Sequence, residues 1–178
     1  MSRTLFNLSI LTLITAALSG CGLTQSVTQG TASAAETIFH KQVKTLHLDF
    51  NARVMLNTDS ADMNALSLPT LVRVYQLRDS KALDQATYEG LVKGDESLLD
   101  GALLDKRAVV LKPGAGARLS VPMDPQARVV ALVGLFRSPD AQANTWRLVL
   151  TRDDLDPDRA RLIEMGDNQL TLRPLAKE

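Results

Sequence analysis

Apolar and polar residues alternate along the stretch that begins at Thr45, and this alternation constrains the fold more than any other feature of the chain. A period of two places successive side chains on opposite faces of a β-strand, so that one face is buried and the other meets water. The pattern therefore predicts a half-buried strand. Its predicted inward residues are Leu46, Leu48, Phe50, Ala52 and Val54.

Strand patterns recur through most of the remaining chain. Segment 129–136 is apolar on both faces, which predicts a central strand covered on both sides. The turn chemistry of 113–116 and of 166–168 predicts two hairpins. Eight strands at this spacing predict a mainly β protein built as a two-sheet β-sandwich. The seven strands after the first are expected at 71–77, 108–111, 118–121, 129–136, 145–150, 160–165 and 169–173.

Residues 80–104 depart from this pattern, because leucine and alanine recur there at helical spacing. Asp79 or Ser80 can cap the start of a helix, and three glycines interrupt the segment. We predict an insert of one or two short helices. It would cover the outer apolar face of the strand at 129–136.

The N-terminus has the pattern of a secretory signal peptide. Arg3 precedes an apolar run, Leu5 to Leu18, that is shorter than the roughly 20 residues of a membrane-spanning helix. Leu18-Ser19-Gly20-Cys21 closes the run and resembles the lipobox of bacterial lipoproteins, whose cysteine sulfur receives a diacylglycerol. Cys21, the only cysteine of the chain, is thus the predicted lipidation site. An ordinary cleaved signal beside a chance cysteine is the alternative.

The segment after Cys21 has the composition of a flexible tether, since residues 22–37 are small and polar without periodicity. An aspartate directly after the cysteine resembles an inner-membrane retention signal, and Gly22 stands there instead. We therefore expect outer-membrane lipid to hold the acylated cysteine, with the folded domain facing the periplasm. The predicted organisation is a signal peptide at 1–20, a lipidated tether at 21–37 and a β-sandwich domain at 38–178.

The charge and the cysteine content limit which partners the protein can bind and what holds its fold together. The chain has 20 lysines and arginines against 20 aspartates and glutamates, and removal of residues 1–20 takes away only Arg3. The net charge of −1 that results gives no electrostatic basis for binding nucleic acid. With its one cysteine acylated, the domain has no disulfide, so its core alone must hold the fold.

The sequence contains few residues arranged for metal binding or catalysis. Asp154, Asp156 and Asp158 resemble the start of a calcium-binding loop, but Arg159 and Met165 replace the glycine and glutamate that such a loop requires. A solvated acidic loop explains these aspartates better.

The two histidines, His40 and His47, lack metal-ligand spacing. The chain also has no Gly-x-Ser-x-Gly elbow and no free thiol for nucleophilic catalysis. We predict a protein that is not an enzyme and needs neither a cofactor nor a metal.

The connection at 57–69 is the candidate binding site. If successive strands run antiparallel across the sandwich, this connection lies at one end together with 113–116, 137–144 and 166–168, and the tether enters at the other end. Thirteen residues exceed the usual hairpin loop, and long loops on rigid scaffolds often carry function. Met63, Leu66 and Leu68 could be exposed anchors for a partner or could fold back and cap the sandwich. The candidate residues are Asn57, Asp59, Ser60, Asp62, Met63, Leu66, Leu68 and Pro69.

The order of several short motifs resembles one known family. After the lipobox and tether, the motifs are Met55-Leu56-Asn57-Thr58-Asp59, Val72-Arg73-Val74-Tyr75-Gln76-Leu77-Arg78-Asp79, Leu103-Leu104, Leu111-Lys112-Pro113-Gly114, Gly134-Leu135-Phe136-Arg137 and Trp146-Arg147. This series resembles the TssJ-type lipoproteins of the bacterial type VI secretion system. Thr58 and the segment 63–66 depart from the proline-containing loop that family members often have.

The resemblance implies a transthyretin-like sandwich with an added helical piece. It also implies a role in tethering the secretion membrane complex to the outer membrane. The implied partner is the periplasmic C-terminal domain of the inner-membrane protein TssM, with the loop after the first strand as a main contact, and no reaction is implied. Two other hypotheses are a lipoprotein that binds a small ligand or an unfolded client in a sandwich cleft, and an enzyme that acts on the cell envelope.

Overall fold

Eight strands form two four-stranded sheets that pack face to face, which confirms the predicted mainly β, transthyretin-like sandwich. The computed structural model describes residues 42–59, 61, 66–94 and 96–175. The predicted signal peptide, the tether with Cys21, and His40 lie outside these residues. The strands are β1 Thr45–Ala52, β2 Thr70–Leu77, β3 Leu103–Leu111, β4 Gly116–Pro122, β5 Val129–Gly134, β6 Arg147–Thr151, β7 Arg161–Gly166 and β8 Gln169–Leu172.

Strand β1 lies inside the first sheet, whose order is β4-β1-β7-β8. It pairs antiparallel with β4 and parallel with β7. Leu46, Leu48 and Phe50 are buried against the second sheet, as the alternation predicted. The prediction for Val54 is wrong, because β1 ends at Ala52 and the side chain of Val54 is 74% exposed.

The second sheet has the order β3-β2-β5-β6, and its outer face is covered by the predicted insert. The insert consists of α1 Lys81–Gln85, α2 Tyr88–Val92 and a 3₁₀ turn, Glu96–Leu99. Arg147 of β6 donates to the Leu83 carbonyl at 2.6 Å, and Arg73 of β2 donates to that of Leu91. Strand β5 lies between β2 and β6 and is buried on both faces, as predicted, but it ends at Gly134, two residues before the predicted end at 136.

Aromatic packing fixes the insert to the end of β5. The Tyr88 ring lies edge-on to Trp146 at 5.2 Å, and the Tyr88 hydroxyl donates to the Phe136 carbonyl. Desolvation raises the pKa of Tyr88 above its usual value. Strand β3 begins at Leu103, within the predicted insert and five residues before the predicted strand at 108–111, because its N-terminal part pairs with β2.

One of the two predicted hairpins is correct. Strands β7 and β8 pair across Asp167 and Asn168, whose φ angles of 51° and 58° suit a primed turn. The predicted hairpin around 113–116 is wrong, because β3 pairs with β2 in one sheet and β4 pairs with β1 in the other. The Ala115 amide does donate to the Lys112 carbonyl at 3.1 Å, so the turn reverses the chain while leading it between sheets.

Gly134 at the end of β5 yields a prediction on stability. A Cβ atom there would lie 2.6 Å from Cε2 of Phe136, whose ring is buried. We expect Gly134→Ala to lower the free energy of unfolding by about 1–3 kcal/mol through overpacking, as measured by urea denaturation. The cost of the methyl group should shrink in a Phe136→Leu background. Equal stability of Gly134→Ala and the parent chain would contradict this account.

Candidate functional site

In the described residues, four connections meet at one end of the sandwich, here called the loop end: 53–59 with 66–69, 112–115, 135–146 and 167–168. Backbone hydrogen bonds join three of them, from the Gly114 amide to the Arg53 carbonyl at 3.1 Å and from the Asp167 amide to the Met55 carbonyl at 3.3 Å. The Asn57 side chain joins the fourth, since its Oδ1 accepts from the Arg137 amide. This grouping confirms the geometric prediction made from strand direction.

The chain enters the sandwich at the opposite end. We call this the tether end and define it by Gln42–Lys44, 123–128 and Arg152. The Met123 amide donates to the Lys44 carbonyl at 2.9 Å, and the Arg152 guanidinium donates to the Val43 carbonyl at 3.3 Å. A load applied through the tether and a partner bound at the loop end would therefore act on opposite ends of the domain.

Asn57 shapes the root of the candidate loop. Its side chain is buried, and its φ of 53° lies in the left-handed region that asparagine tolerates better than most residues. The Nδ2 group donates to the Pro69 carbonyl at 3.3 Å, while Oδ1 accepts from the Arg137 amide at 2.7 Å. The amide thus joins both ends of the loop to the β5–β6 connection. Its predicted part in partner binding would be to hold the loop rather than to present a surface.

Further polar contacts fix the first residues of the loop. Asp59 Oδ1 accepts from the Ala61 amide at 3.0 Å, and its Oδ2 lies 3.9 Å from the Arg137 guanidinium. Both charged side chains are partly exposed, so this ion pair contributes little to stability. Asn168 donates to the Thr58 carbonyl at 2.8 Å and ties the loop to the β7–β8 turn.

Apolar side chains project from the loop end. Leu66 is 57% exposed and Leu68 is 38% exposed, so neither folds back to cap the sandwich; Pro69 is exposed as well. Ser60, Asp62 and Met63 lie outside the described residues. Groups of exposed apolar side chains often mark interaction surfaces.

Sequence reasoning missed two members of this surface. Val54 and Met55 are exposed at the loop root, at 74% and 59%. The run Val54-Met55-Leu56 gives no signal of their exposure, because Val54 continues the period of two and a short apolar run also occurs in a fully buried strand such as β5. Leu56 alone of the three is buried.

The polar residues considered for chemistry make local structural contacts instead. Asp154 Oδ2 accepts from the amide and hydroxyl of Thr151 at 2.8 and 2.7 Å. Asp156 accepts from the backbone of Asp158 and from Arg159, and these bonds lower the pKa of the Asp156 carboxyl. The three aspartates thus belong to a hydrogen-bonded surface loop.

His47 Nδ1 lies 2.8 Å from Ser120 Oγ on the outer face of the first sheet. Within the described ranges, no group of three His, Cys, Asp or Glu side chains could hold a metal ion. None of the helices in that part of the chain has the length and apolar character needed to cross a membrane.

The Asn57 contacts lead to a prediction on the loop root. Asn57→Ala removes two hydrogen bonds and leaves a partly buried amide and carbonyl without their partner, so we expect a loss of about 2–3 kcal/mol in unfolding free energy. Asn57→Gly, which accepts a positive φ, should be less damaging by about 1 kcal/mol. Urea denaturation measures the losses, and hydrogen exchange at the Arg137 amide reports on the local bond. Unchanged exchange in Asn57→Ala would contradict the proposed role.

Comparison with known proteins gives a consistent match. A family model described as "Type VI secretion lipoprotein, VasD, EvfM, TssJ" matches residues 44–173. No curated protein sequence matches the chain.

Solved structures match the same part of the chain. A chain of "T6SS protein TssM C-terminal domain (869-1107) from EAEC" is 41% identical with a TM-score of 0.66; the match covers 75% of this chain and 100% of that one. A chain of "Type VI membrane complex" is 43% identical with a TM-score of 0.70 and the same coverage. The lipoprotein TssJ1 from Pseudomonas aeruginosa is 25% identical with a TM-score of 0.59, covering 76% of this chain and 100% of that one.

Proposed function

Because this chain belongs to the type VI secretion lipoprotein family that includes TssJ, we propose that it anchors the secretion membrane complex to the outer membrane. It would do so through lipid on Cys21 at one end and the periplasmic C-terminal domain of TssM at the other. The observation that carries the proposal is the placement of the chain's point of entry and the exposed apolar loop residues at opposite ends of one sandwich.

The lipid attachment is supported by the position of the sole cysteine at the end of the signal-like run. One acyl chain binds a membrane only marginally, whereas two or more hold a protein stably, at about 0.8 kcal/mol per buried CH₂. The sixteen residues 22–37 would span roughly 20–24 Å as a random coil. This length lets the domain stand off the lipid surface and reorient toward a partner. Gly22 after the cysteine favours the outer membrane.

The identity of the partner is supported by the solved structure named for the TssM C-terminal domain. The chain matched there is covered completely by about three quarters of this 178-residue chain, so it is much shorter than the span 869–1107 in that name. A relative of this protein is therefore present in a structure named for TssM. We infer that the present chain binds the corresponding TssM domain.

The loop end is the proposed contact surface. Leu66, Leu68, Val54 and Met55 supply exposed apolar area, and Asp59 supplies a polar edge beside it. An apolar centre with a polar rim is the usual arrangement of a protein–protein interface. Ser60, Asp62, Met63 and Pro69 remain predicted members of the same surface.

We assign no catalytic step to this protein. Asp154 and Asp156 are hydrogen-bonded within local turns, and His47 lies beside Ser120 on an open sheet face.

A flotation experiment tests the coupling. The acylated chain is reconstituted in liposomes and mixed with the soluble TssM periplasmic domain. We expect TssM to float with these liposomes but not with liposomes mixed with the Cys21→Ser chain, although that chain should still bind TssM in solution. Failure to bind TssM in either form would reject the partner, whereas flotation of the Cys21→Ser chain would reject the lipid attachment.

A further inference from the structure

We infer that tension between the lipid and a partner held at Val54 and Met55 passes along the covalent backbone of one extended strand, β1, and does not load the hydrogen bonds within the two sheets. The inference rests on the proposed function only for the points where force is applied, namely residue 42 and these two exposed residues, which follow β1 directly. Strand β1 connects these two points directly, because it runs from the tether end to the loop end. The molecule would thus remain folded while it transmits force.

The tether end of this path is fixed by Arg152. Its guanidinium donates to the carbonyls of Ala127 at 2.6 Å, Asp124 at 2.8 Å and Val43 at 3.3 Å. The Lys44 carbonyl accepts from the Met123 amide as well. Hydrogen bonds therefore hold the two residues immediately before β1, Val43 and Lys44, in place.

The middle of the path is held on both sides. Thr45 to Asn51 are in register with β4, and Leu48 to Ala52 are in register with β7. To slide β1 along its own axis, the bonds to both neighbours would have to shear together. An edge strand such as β8, which pairs only with β7, can instead be peeled away one bond at a time.

The loop end of the path is tied to three neighbouring connections. The Arg53 amide donates to the Met165 carbonyl at 2.7 Å, and the Arg53 carbonyl accepts from Gly114. Asn57 and Thr58 bond to the β5–β6 connection and to Asn168, respectively. Force that enters the loop reaches β1 through residues that are already braced.

Geometry explains why force along this path has little effect on folding. A strand rises about 3.4 Å per residue, and the longest possible rise is about 3.6 Å, so β1 can lengthen by only about 2 Å. Force favours a state in proportion to the length that the state gains. By contrast, opening the domain between residues 42 and 175 would release roughly 480 Å of chain.

Single-molecule pulling with two attachment geometries tests the inference. Both use the full chain with Cys21→Ser and two engineered cysteines that carry DNA handles. The first pair, Gln42→Cys with Met55→Cys, loads β1 along its axis. The second pair, Gln42→Cys with Leu175→Cys, peels β8 from the sheet. Gln42, Met55 and Leu175 are all exposed, so the handles should not disturb the core.

At equal force we expect the first pair to open at least about tenfold more slowly than the second. The second pair should free a chain with a contour length of roughly 480 Å, and the measured step is this length minus the folded separation of residues 42 and 175. A step of that size also confirms that the domain was folded. Equal opening rates, or faster opening of the first pair, would overturn the inference. The measurement contains no TssM, so its failure leaves the proposed partner untouched, and failure of TssM binding leaves this result unaffected.

Discussion

Replacement of Cys21 by serine is expected to move the protein from the membrane fraction to the soluble periplasmic fraction and to reduce type VI secretion at least about tenfold. Serine cannot receive the thioether-linked diacylglycerol, and without acyl chains the apolar attachment of about 0.8 kcal/mol per CH₂ is lost. The described domain begins at residue 42, so its melting temperature should not change. Membrane fractionation, a secretion assay and thermal unfolding measure the three effects.

Ser26→Ala in the predicted tether is the matched control, since it changes a small residue close to Cys21 without removing the sulfur. It should fractionate and secrete like the parent chain. Normal secretion by a soluble periplasmic Cys21→Ser protein would reject the proposed anchoring function, even if TssM binding persisted.

The double substitution Leu66→Glu with Leu68→Glu is expected to weaken binding to the TssM periplasmic domain by roughly 30-fold or more. Truncation or charging of a central apolar anchor typically costs about 2 kcal/mol or more, which corresponds to that factor in Kd. Both side chains are exposed in the free protein, so the melting temperature should stay within about 2 °C of the parent value. Calorimetric titration gives the affinity, and thermal unfolding gives the stability.

Leu162→Glu provides the control for this experiment. Leu162 has the same 38% exposure as Leu68 but lies on β7, opposite Asp49 of β1, on the face of the sheet that points away from the core. Its substitution should leave TssM affinity unchanged. If the loop variant binds as tightly as the Leu162 variant, the contact surface lies elsewhere on the domain.

Local patterns predicted much of the sandwich because the burial pattern of each strand follows from its own residues. The alternation from Leu46 to Ala52 matches the buried face of β1, and the Asp167-Asn168 turn joins two strands that pair with each other. Leucine and alanine at helical spacing gave the insert for the same reason. Each of these features depends on residues close together in sequence.

The candidate site was predicted in part. Leu66 and Leu68 are exposed on the predicted loop, whereas Val54 was assigned to the core and Met55 was not singled out. Their exposure depends on where β1 ends, and its last paired residues, Asn51 and Ala52, meet Glu164 and Met165 of β7, more than a hundred residues away. No local period contains that information.

By itself the sequence determined the strands, the helical insert and the position of the long loop, because hydrophobic period and turn chemistry are local properties. Only the tertiary structure decided which strands share a sheet. The turn at 112–115 suits a hairpin, yet β3 pairs with β2 in one sheet and β4 pairs with β1 in the other. Pairing between distant strands is a competition among partners, and it is settled only when the whole core is assembled.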